Sequence, residues 1–322
     1  MKAPVLAVDM GGTKILAAII SDKYQVLARE YQPTLASEGP QAVIRRLLAA
    51  FDRLLSSQKM GPSELGAISL AIAGGMDTEK GLVTSSPNLP GWHDVPLRDM
   101  VGEHYGVPTL LVNDSSAAAL GEYRLGAGKG TRNMVMLTVG TGIGGGIIIE
   151  GKLYTGSSGS AGEIGHMAID VSGPKCKCGN IGCLEMLASG TAMAREAIRR
   201  IRDGQQSILI ALVGGNIENI TAREVGTAAR NGDALAADVI LEAATYLGIG
   251  LVNMVNIFNP EVIVIGGSVA KLGDLLLEPA RQVVKERAFR ISANLVRIVP
   301  AQLGDDAGVL GAAVFARQRG TK

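Results

Sequence analysis

A short stretch of the chain concentrates side chains that bind soft metal ions. His166, Cys176, Cys178 and Cys183 follow one another with the spacing H-x9-C-x-C-x4-C, and the chain has no other cysteine. Three thiolates and an imidazole make the closed tetrahedral set of a structural Zn²⁺ site. Free thiols are the alternative, while the lack of C-x-x-C disfavours a redox role. The spacing predicts a zinc ion that organises the loop, because a closed site leaves no position for a reacting water.

Two carboxylates flank this predicted metal site. Glu163 lies three residues before His166, and Glu185 lies two residues after Cys183. A fixed loop would present both groups to the hydroxyls of a polar ligand, although either acid taken alone could be an ordinary surface residue. The pair is therefore a candidate for ligand binding.

Another carboxylate follows an apolar strand. Leu110–Val112 reads as a buried strand, and Asn113 and Asp114 come next, before the helical run that starts at Ser115. Ligands of open α/β sheets bind at the carboxyl ends of the strands, where an Asp could accept a proton. Asp114 or Ser115 could instead simply cap the helix, as these residue types often do.

Two glycine turns stand between apolar strands. The first turn, 10–14, follows Asp9 and ends in Lys14, and the second, 140–145, is Gly-Thr-Gly-Ile-Gly-Gly. Glycine amides can converge on phosphate oxygens, and a neighbouring carboxylate can hold hydrated Mg²⁺. An ordinary hairpin with glycines at positive φ is the alternative for the first turn.

The second turn also matches the dinucleotide pattern G-x-G-x-x-G formally. That pattern requires a following helix, whereas residues 146–149 read as a strand. The chain also lacks the G-x-x-x-x-G-K-[ST] pattern of the P-loop. We therefore expect neither a Rossmann site nor a P-loop.

The elements that position these groups alternate between strands and helices. Residues 41–57 have apolar positions at helical spacing, 67–71 and 109–112 read as buried strands, and 233–258 reads as a long helix. This alternation predicts α/β domains with mixed sheets. Each half opens with a strand, a glycine turn and a strand, which favours an ancient duplication with a cleft between the halves.

Composition narrows the function classes. The chain has 322 residues, 47% hydrophobic and 19% charged, so it can bury two cores. A net charge of +1 argues against nucleic acid as a partner. We expect no membrane span and no secretory signal, and hence a cytoplasmic protein.

These segments occur in an order that resembles the ROK-family sugar kinases, and among them the bacterial glucokinases. The likeness rests on the turn at 9–14, Asn113-Asp114, the turn at 140–145, Glu163–His166 and the cysteine loop through Glu185. It implies a duplicated actin-like (ribonuclease H-like) fold with an interdomain cleft. It also implies ATP-dependent phosphorylation of a hexose, with glucose as the leading candidate. The implied cofactors are ATP, Mg²⁺ and a structural Zn²⁺. Ser115-Ser116 stands where the family often has Ala-Asn, so fine substrate preference could differ.

The resemblance also assigns roles to residues. Asp114 would be the base that takes a proton from the 6-hydroxyl of the sugar. The implied sugar-binding residues are Gly75, Asn88, Asn113, Asp114, Glu163, His166 and Glu185, with His166 shared with zinc. The implied nucleotide, phosphate and Mg²⁺ residues are Asp9, Gly11, Gly12, Thr13, Lys14, Gly140, Thr141, Gly142, Gly144, Gly266 and Gly267.

Domain boundaries and partners complete the expectations. Residues 1–113 would form a small domain, on which a C-terminal helix at 305–322 packs back, and 114–304 a large domain with the zinc loop. The family implies a homodimer or homotetramer. One alternative is a kinase for another hexose (mannose, fructose or an N-acetylhexosamine). A second is a sugar-responsive regulator of the same family, for whose DNA-binding segment we expect no room before Val5. A third is an actin-like assembly ATPase.

Overall fold

The structure, a computed structural model, describes residues 2–86 and 88–320. The chain divides into two compact units. The first comprises Met1–Gly130, Gly146–Gly162 and Gln302–Lys322, and the second comprises Thr131–Gly145 and Glu163–Ala301.

Strands and helices alternate along the chain, as the sequence predicts. The strands are β1 Val5–Met10, β2 Lys14–Ile20, β3 Val26–Pro33, β4 Ala67–Ile72, β5 Gly75–Asp77, β6 Leu82–Ser85, β7 His93–Val95, β8 Thr109–Asn113, β9 Met134–Val139, β10 Ile143–Ile149, β11 Lys152–Leu153, β12 Val262–Gly266 and β13 Arg297–Pro300. The helices are α1 Pro40–Ser57, α2 Leu97–Tyr105, α3 Asp114–Leu125, α4 Leu184–Ala188, α5 Gly190–Arg202, α6 Leu209–Leu212, α7 Ala222–Arg230, α8 Ala234–Phe258, α9 Asp274–Arg287, α10 Arg290–Leu295 and α11 Ala307–Arg319.

The main sheet of the first unit has the order β3-β2-β1-β4-β8. Strands β1, β2 and β3 pair antiparallel, while β4 pairs parallel with both β1 and β8. This confirms the predicted hairpin around the first glycine turn and the predicted mixed sheet. Since β4 and β8 run parallel, the chain segments that follow them leave the sheet at the same edge.

One face of this sheet is covered by α1. Its apolar residues recur every three or four positions, including Val43, Leu47, Phe51 and Leu54, all of them buried. The helix contacts β2 and β3, as its amphipathic pattern predicts.

Helix α11 packs on α3 and on strands β1 and β4. The two helices approach to backbone contact, because a Cβ on Gly311 would lie 1.6 Å from the carbonyl oxygen of Ala117 and one on Gly121 would lie 2.5 Å from that of Ala307. Only glycine fits at such distances. Helix α3 thus belongs to the first unit, whereas the boundary predicted at residue 114 places it in the large domain.

The second five-stranded sheet has the order β11-β10-β9-β12-β13. Strand β12 pairs parallel with β9 and β13, so the order repeats that of the first sheet, with β9 in the place of β1. This repetition agrees with the duplication inferred from the two strand–turn–strand openings. After Gly267 the chain forms a short 3₁₀ helix, Val269–Leu272, and α9 begins after it at Asp274.

Helix α8 is long and apolar enough to cross a membrane by length and composition. In its most apolar window 61% is buried, and the helix contacts α4, α5, α7 and α9. A core helix of a folded domain passes the same test, so its length and composition are weak evidence for a membrane span.

Candidate active site

The end of β8 and the start of α3 carry the candidate base. Asn113 caps the helix, because its Oδ1 accepts hydrogen bonds from the backbone N–H groups of Ser115 and Ser116 at 3.0 and 3.1 Å. The Oδ1 of Asp114 also accepts from the Ser115 N–H, at 2.7 Å. Burial raises the pKa of Asp114 above its usual range, although hydrogen bonds from the N–H and the hydroxyl of Ser115 oppose the shift. Asp114 is therefore the first residue of the helix, while the preceding Asn113 is its main cap.

The side chain of Asn113 has structural partners on both of its polar atoms. Besides capping α3, it donates from Nδ2 to the carbonyl oxygen of Gly74 at 3.4 Å. Gly74 precedes Gly75, the first residue of β5. Asn113 thus ties the base-bearing helix to the segment that holds Gly75, a second predicted sugar-binding residue.

Asp9 lies near the end of β1 in the same unit. Burial raises its pKa to about 7, the negative charges of Asp114 and Asp305 add to the rise, and the positive charge of Lys14 opposes it. Lys14 also forms an ion pair with Asp305, Nζ to Oδ1 3.7 Å. Two neighbouring, partly buried carboxylates whose negative charges repel each other suit a divalent cation, which prefers oxygen ligands.

The first glycine turn closes the β1–β2 hairpin, and Gly11 donates its N–H to the carbonyl oxygen of Lys14 at 3.0 Å. Thr34 braces the turn by donating its hydroxyl to the carbonyl oxygen of Gly11 at 2.6 Å. A Cβ on Gly12 would lie 2.5 Å from the carbonyl oxygen of Asn88. The turn is thus a hairpin, and it brings Gly12 against Asn88. Thr13, which lies between Gly12 and Lys14 in sequence, is exposed.

The second glycine turn is held by the segment that follows the cysteine loop. Gly190 donates its N–H to the carbonyl oxygen of Gly140 at 2.7 Å, and Thr191 donates its hydroxyl to that of Thr141 at 2.8 Å. Glu185 Oε2 accepts the N–H of Ile143 at 2.9 Å. We call residues 140–143 the phosphate turn, and note that Gly144 lies beyond it, within β10.

Two glycines are required by close approach around this turn. A Cβ on Gly142 would lie 2.2 Å from Glu185 Oε2, and one on Gly165 would lie 2.0 Å from the carbonyl oxygen of Ile143. The segments carrying Glu163 and Glu185 therefore both reach the backbone of Ile143. The structure brings these two predicted sugar-binding acids to the same strand end within the second unit.

A cavity of about 820 Å³ opens beside the phosphate turn, entirely within the second unit. Gly140 and Thr141 form part of its wall. Its other lining residues come from α5, from α7 with the residues before it, and from the 3₁₀ turn after β12: Gly190, Thr191, Ala194, Ile220, Thr221, Ala222, Arg223, Thr227, Arg230, Ser268, Val269, Lys271 and Leu272. A concave site with convergent glycines, hydroxyls and cations suits a phosphorylated ligand.

Gly266 and Gly267 lie just before this lining rather than in it. Gly267 has φ +87°, and a Cβ there would lie 2.3 Å from the carbonyl oxygen of Val139. The pair lets the chain turn tightly over the end of β9, so that Ser268 and Val269 reach the cavity.

The four predicted metal ligands meet in one place. One ligand atom from each of His166, Cys176, Cys178 and Cys183 lies within 4.8 Å of all the others. The Cys178 and Cys183 sulfurs are 3.7 Å apart, as are the Cys176 sulfur and His166 Nδ1. Zn–S bonds of about 2.3 Å place tetrahedral ligands about 3.8 Å apart, so the set fits zinc in distance and chemistry.

The other ring nitrogen of His166 faces away from this cluster. Its Nε2 lies 3.9 Å from Glu163 Oε2. A metal bound through Nδ1 leaves Nε2 as a donor, since ligation fixes the tautomer of the ring. His166 and Glu163 can then present one donor and one acceptor to the same ligand.

Comparisons with known proteins identify the family. The profile described as "ROK family" matches residues 5–319. This chain belongs to the ROK family. It is 35% identical to a glucokinase of Thermotoga maritima, over 99% of this chain and 98% of that protein. It is 34% identical to a xylose repressor of Caldicellulosiruptor bescii, over 95% of this chain and 76% of that protein.

The fold is shared with solved ROK-family structures. A ROK family glucokinase from Streptomyces griseus, solved with glucose and AMPPNP, superposes with a TM-score of 0.86 at 34% identity, covering 98% of this chain and 99% of that one. The fold is thus the duplicated actin-like α/β fold expected from the sequence.

For this ROK-family chain, sequence reasoning missed much of the cavity wall. Arg223, Arg230, Thr227 and Lys271 were not singled out, because nothing in their local sequence marks a ligand site. The start of α7 did carry a signal, since Thr221 and Glu224 form a capping box. That motif predicts where the helix begins, but only the fold brings its first turns to the phosphate turn.

Proposed function

We propose that this chain transfers the γ-phosphoryl group of ATP to the 6-hydroxyl of a hexose, with D-glucose as the first candidate. The observation that carries the proposal is Asp114, a partly buried carboxylate of raised pKa at the end of β8. A base of raised pKa accepts a proton more readily near neutral pH. Relatives named glucokinase, similar over nearly the whole chain, support glucose as the acceptor.

Asp114 acts on the acceptor. It orients the 6-hydroxyl and receives its proton as the oxygen attacks the γ-phosphorus. Phosphoryl transfer asks the protein mainly for positioning and for charge stabilisation. Glu163, His166 and Glu185 bind the remaining hydroxyls, with Gly75 and Asn88 lining the sugar site and Asn113 fixing the start of the base-bearing helix.

The donor lies in the cavity of the second unit. The amides of the phosphate turn and the cations Arg223, Arg230 and Lys271 hold its phosphates, and the lining after Gly266-Gly267 receives the adenosine. Gly11, Gly12, Thr13 and Lys14 supply further amides and one positive charge. Asp9 would hold Mg²⁺, and the cation would supply positive charge to offset the negative charge of the phosphate oxygens.

The zinc ion has a structural part in this proposal. His166, Cys176, Cys178 and Cys183 would hold the ion with four protein ligands, so it would give the loop its shape and take no part in the reaction. The loop leads directly into Glu185, whose carboxylate touches the phosphate turn. Zinc thus fixes a sugar-binding acid and one side of the donor site together.

The test is an ADP-release assay with Mg-ATP and zinc-loaded protein against glucose, mannose, fructose, N-acetylglucosamine, N-acetylmannosamine and no sugar. Turnover that strongly favours glucose supports the proposal in full. Preference for another hexose keeps the mechanism and changes the acceptor. No ADP release above the sugar-free control with any of them would reject the kinase.

A regulator is the second candidate, and the likeness to a xylose repressor favours it. A regulator binds sugar without needing turnover, so it would bind a sugar in calorimetry and release no ADP. The kinase is preferred because both carboxylates expected for phosphoryl transfer, Asp9 and Asp114, lie together in the first unit.

The cellular setting follows from the same proposal. A kinase using ATP and a small sugar works in the cytoplasm, without nucleic acid or membrane as a partner. We also infer a homodimer or homotetramer. Light scattering coupled to gel filtration measures the oligomer directly, and a monomer at micromolar concentration would reject that part.

A further inference from the structure

A fully buried carboxylate outside the proposed substrate sites lies on α3. Glu122 has no solvent-exposed surface. Its Oε1 accepts hydrogen bonds from the backbone N–H groups of Gln302 and Leu303 at 2.9 and 2.7 Å, and its Oε2 accepts from that of Ala127 at 2.8 Å. Burying a carboxylate is costly unless such donors compensate it. An apolar side chain would fill this buried position at lower cost, so the carboxylate is explained by its hydrogen bonds and not by packing.

The partners of Glu122 lie where the chain leaves and re-enters the first unit. The chain first crosses into the second unit after Gly130, comes back for Gly146–Gly162, and makes its final return at Gln302. Ala127 is three residues before the first crossing, and Gln302 and Leu303 are the first two residues after the return. One side chain thus holds two segments that are 175 residues or more apart in sequence, and it holds them to the same helix.

The returning segment leads straight to Asp9. A 3₁₀ turn, Gly304–Asp306, follows Leu303, and α11 begins at Ala307. A Cβ on Gly308 would lie 2.6 Å from the carboxyl carbon of Asp9. The position of the first turn of α11 therefore sets the immediate surroundings of the Asp9 carboxylate.

Glu122 and the proposed base, Asp114, both lie on α3. Glu122 lies two helical turns after Asp114 on one continuous helix. The backbone contacts at Gly121 and Gly311 already fix how closely α3 and α11 approach. The hydrogen bonds of Glu122 to Gln302 and Leu303 add a direct link between α3 and the residues that lead into α11.

We propose that Glu122 is a positioning residue that holds the start of α11, and through it Asp9, in register with Asp114 on α3. This inference rests on the proposed function, in which Asp9 holds Mg²⁺ and Asp114 is the base. A small displacement between groups that act together costs far more in turnover than in stability.

The test compares three variants with the full-length, zinc-loaded wild type. Glu122→Gln replaces one oxygen by an NH₂ group that faces a backbone donor. Gly126→Ala is a second variant that keeps the carboxylate and displaces it, because the added Cβ would lie 2.1 Å from Glu122 Oε2; it tests the same contact if Glu122→Gln does not fold. Glu261→Gln is the control for the chemical change, since the exposed Glu261 also accepts two backbone N–H bonds, from Arg132 and Asn133, in the second unit.

We expect Glu122→Gln or Gly126→Ala to lower kcat roughly tenfold or more and to raise the KM for Mg²⁺ at saturating glucose. We expect Glu261→Gln to leave both within about twofold of wild type, because its bonds do not reach Asp9 or Asp114. Variants that lose only thermal stability, or an equal kinetic loss in Glu261→Gln, would overturn the proposal.

A second readout does not depend on catalysis. Hydrogen–deuterium exchange of residues 302–310 should become faster in Glu122→Gln or Gly126→Ala, with exchange of the phosphate turn unchanged. Unchanged exchange at 302–310 would overturn the positioning role even if the wild type phosphorylates no sugar. If the wild type phosphorylates none of the sugars, the proposed function is rejected. The exchange experiment alone then tests whether Glu122 holds residues 302–310.

Discussion

At the scale of single residues, the site depends on two carboxylates whose pKa values lie above the usual range. Both shifts arise chiefly from burial, and Asp114 also raises the pKa of Asp9. A raised pKa has opposite effects on the two proposed roles. It helps a base, which must accept a proton, but it hinders a metal ligand, which must first lose its proton. The two residues should therefore respond differently to substitution and to pH.

Asp114→Asn removes the proposed base and keeps its shape. We expect kcat to fall roughly 10²–10⁴-fold, the usual range for loss of a general base. Steady-state kinetics with glucose and Mg-ATP measures this, with Asp99→Asn on α2 as a control for the same chemical change at an exposed position. Near-normal kcat in folded Asp114→Asn protein would remove Asp114 from the role.

Asp9→Asn tests the electrostatics through stability. The folded-state pKa of Asp9, about 7, lies above its ordinary 3.8, so folding favours the protonated form. That contribution is present at low pH and is lost as pH rises through about 7. In Mg²⁺-free buffer we expect Asp9→Asn to gain roughly 1–3 kcal/mol over wild type between pH 5 and pH 8.

Chemical denaturation of both proteins at the two pH values gives that difference. Added Mg²⁺ should reverse it at pH 8, since the cation stabilises only the chain that keeps the carboxylate. A difference in stability that does not change with pH would contradict the burial of Asp9.

At the scale of elements, the phosphate turn depends on its neighbours. It is braced from outside by Glu185, Gly190 and Thr191, which all follow the cysteine loop directly. Removing one of these hydrogen bonds, or disrupting the cysteine loop, should therefore weaken the donor site, but to different extents.

Thr191→Val removes one brace, the hydroxyl bond to the Thr141 carbonyl oxygen, with little change in volume. We expect the KM for ATP to rise about fivefold, the equivalent of one ordinary hydrogen bond, with the KM for glucose unchanged. Thr245→Val, which removes a comparable hydroxyl bond within α8, is the control. Equal changes in both KM values would argue against a local effect on the turn.

Cys178→Ser removes a zinc ligand. We expect zinc content, thermal stability and glucose affinity to fall together, because the metal closes the loop that positions Glu163, His166 and Glu185. Elemental analysis, scanning calorimetry and glucose titration measure the three, with Lys177→Gln as a neighbouring change that keeps the ligands. Retained zinc and unchanged glucose affinity in Cys178→Ser would contradict the structural role.

At the scale of the whole molecule, the sequence predicted what local rules control. The β1–β2 hairpin, the amphipathic α1 and the meeting of the metal ligands follow from glycine placement, apolar spacing and thiol chemistry. The helix cap was expected at Asp114 or Ser115 but lies at Asn113, because Asn, Asp and Ser follow one another there and each can cap.

Other features depend on tertiary contacts and could not be predicted in this way. The cavity wall from α7, the assignment of α3 to the first unit and the bonds of Glu122 to Gln302 and Leu303 join residues far apart in sequence. No periodicity or motif encodes such pairs.

The place of α11 in the chain has a consequence for biosynthesis. The ribosome completes the whole second unit before residues 302–320 exist, while β1 and β4 have been made long before the helix that covers them. Domains generally fold as units in the order of synthesis, yet here the earliest-made sheet must wait for the last-made helix. During translation, its apolar face is the surface on which a chaperone would act.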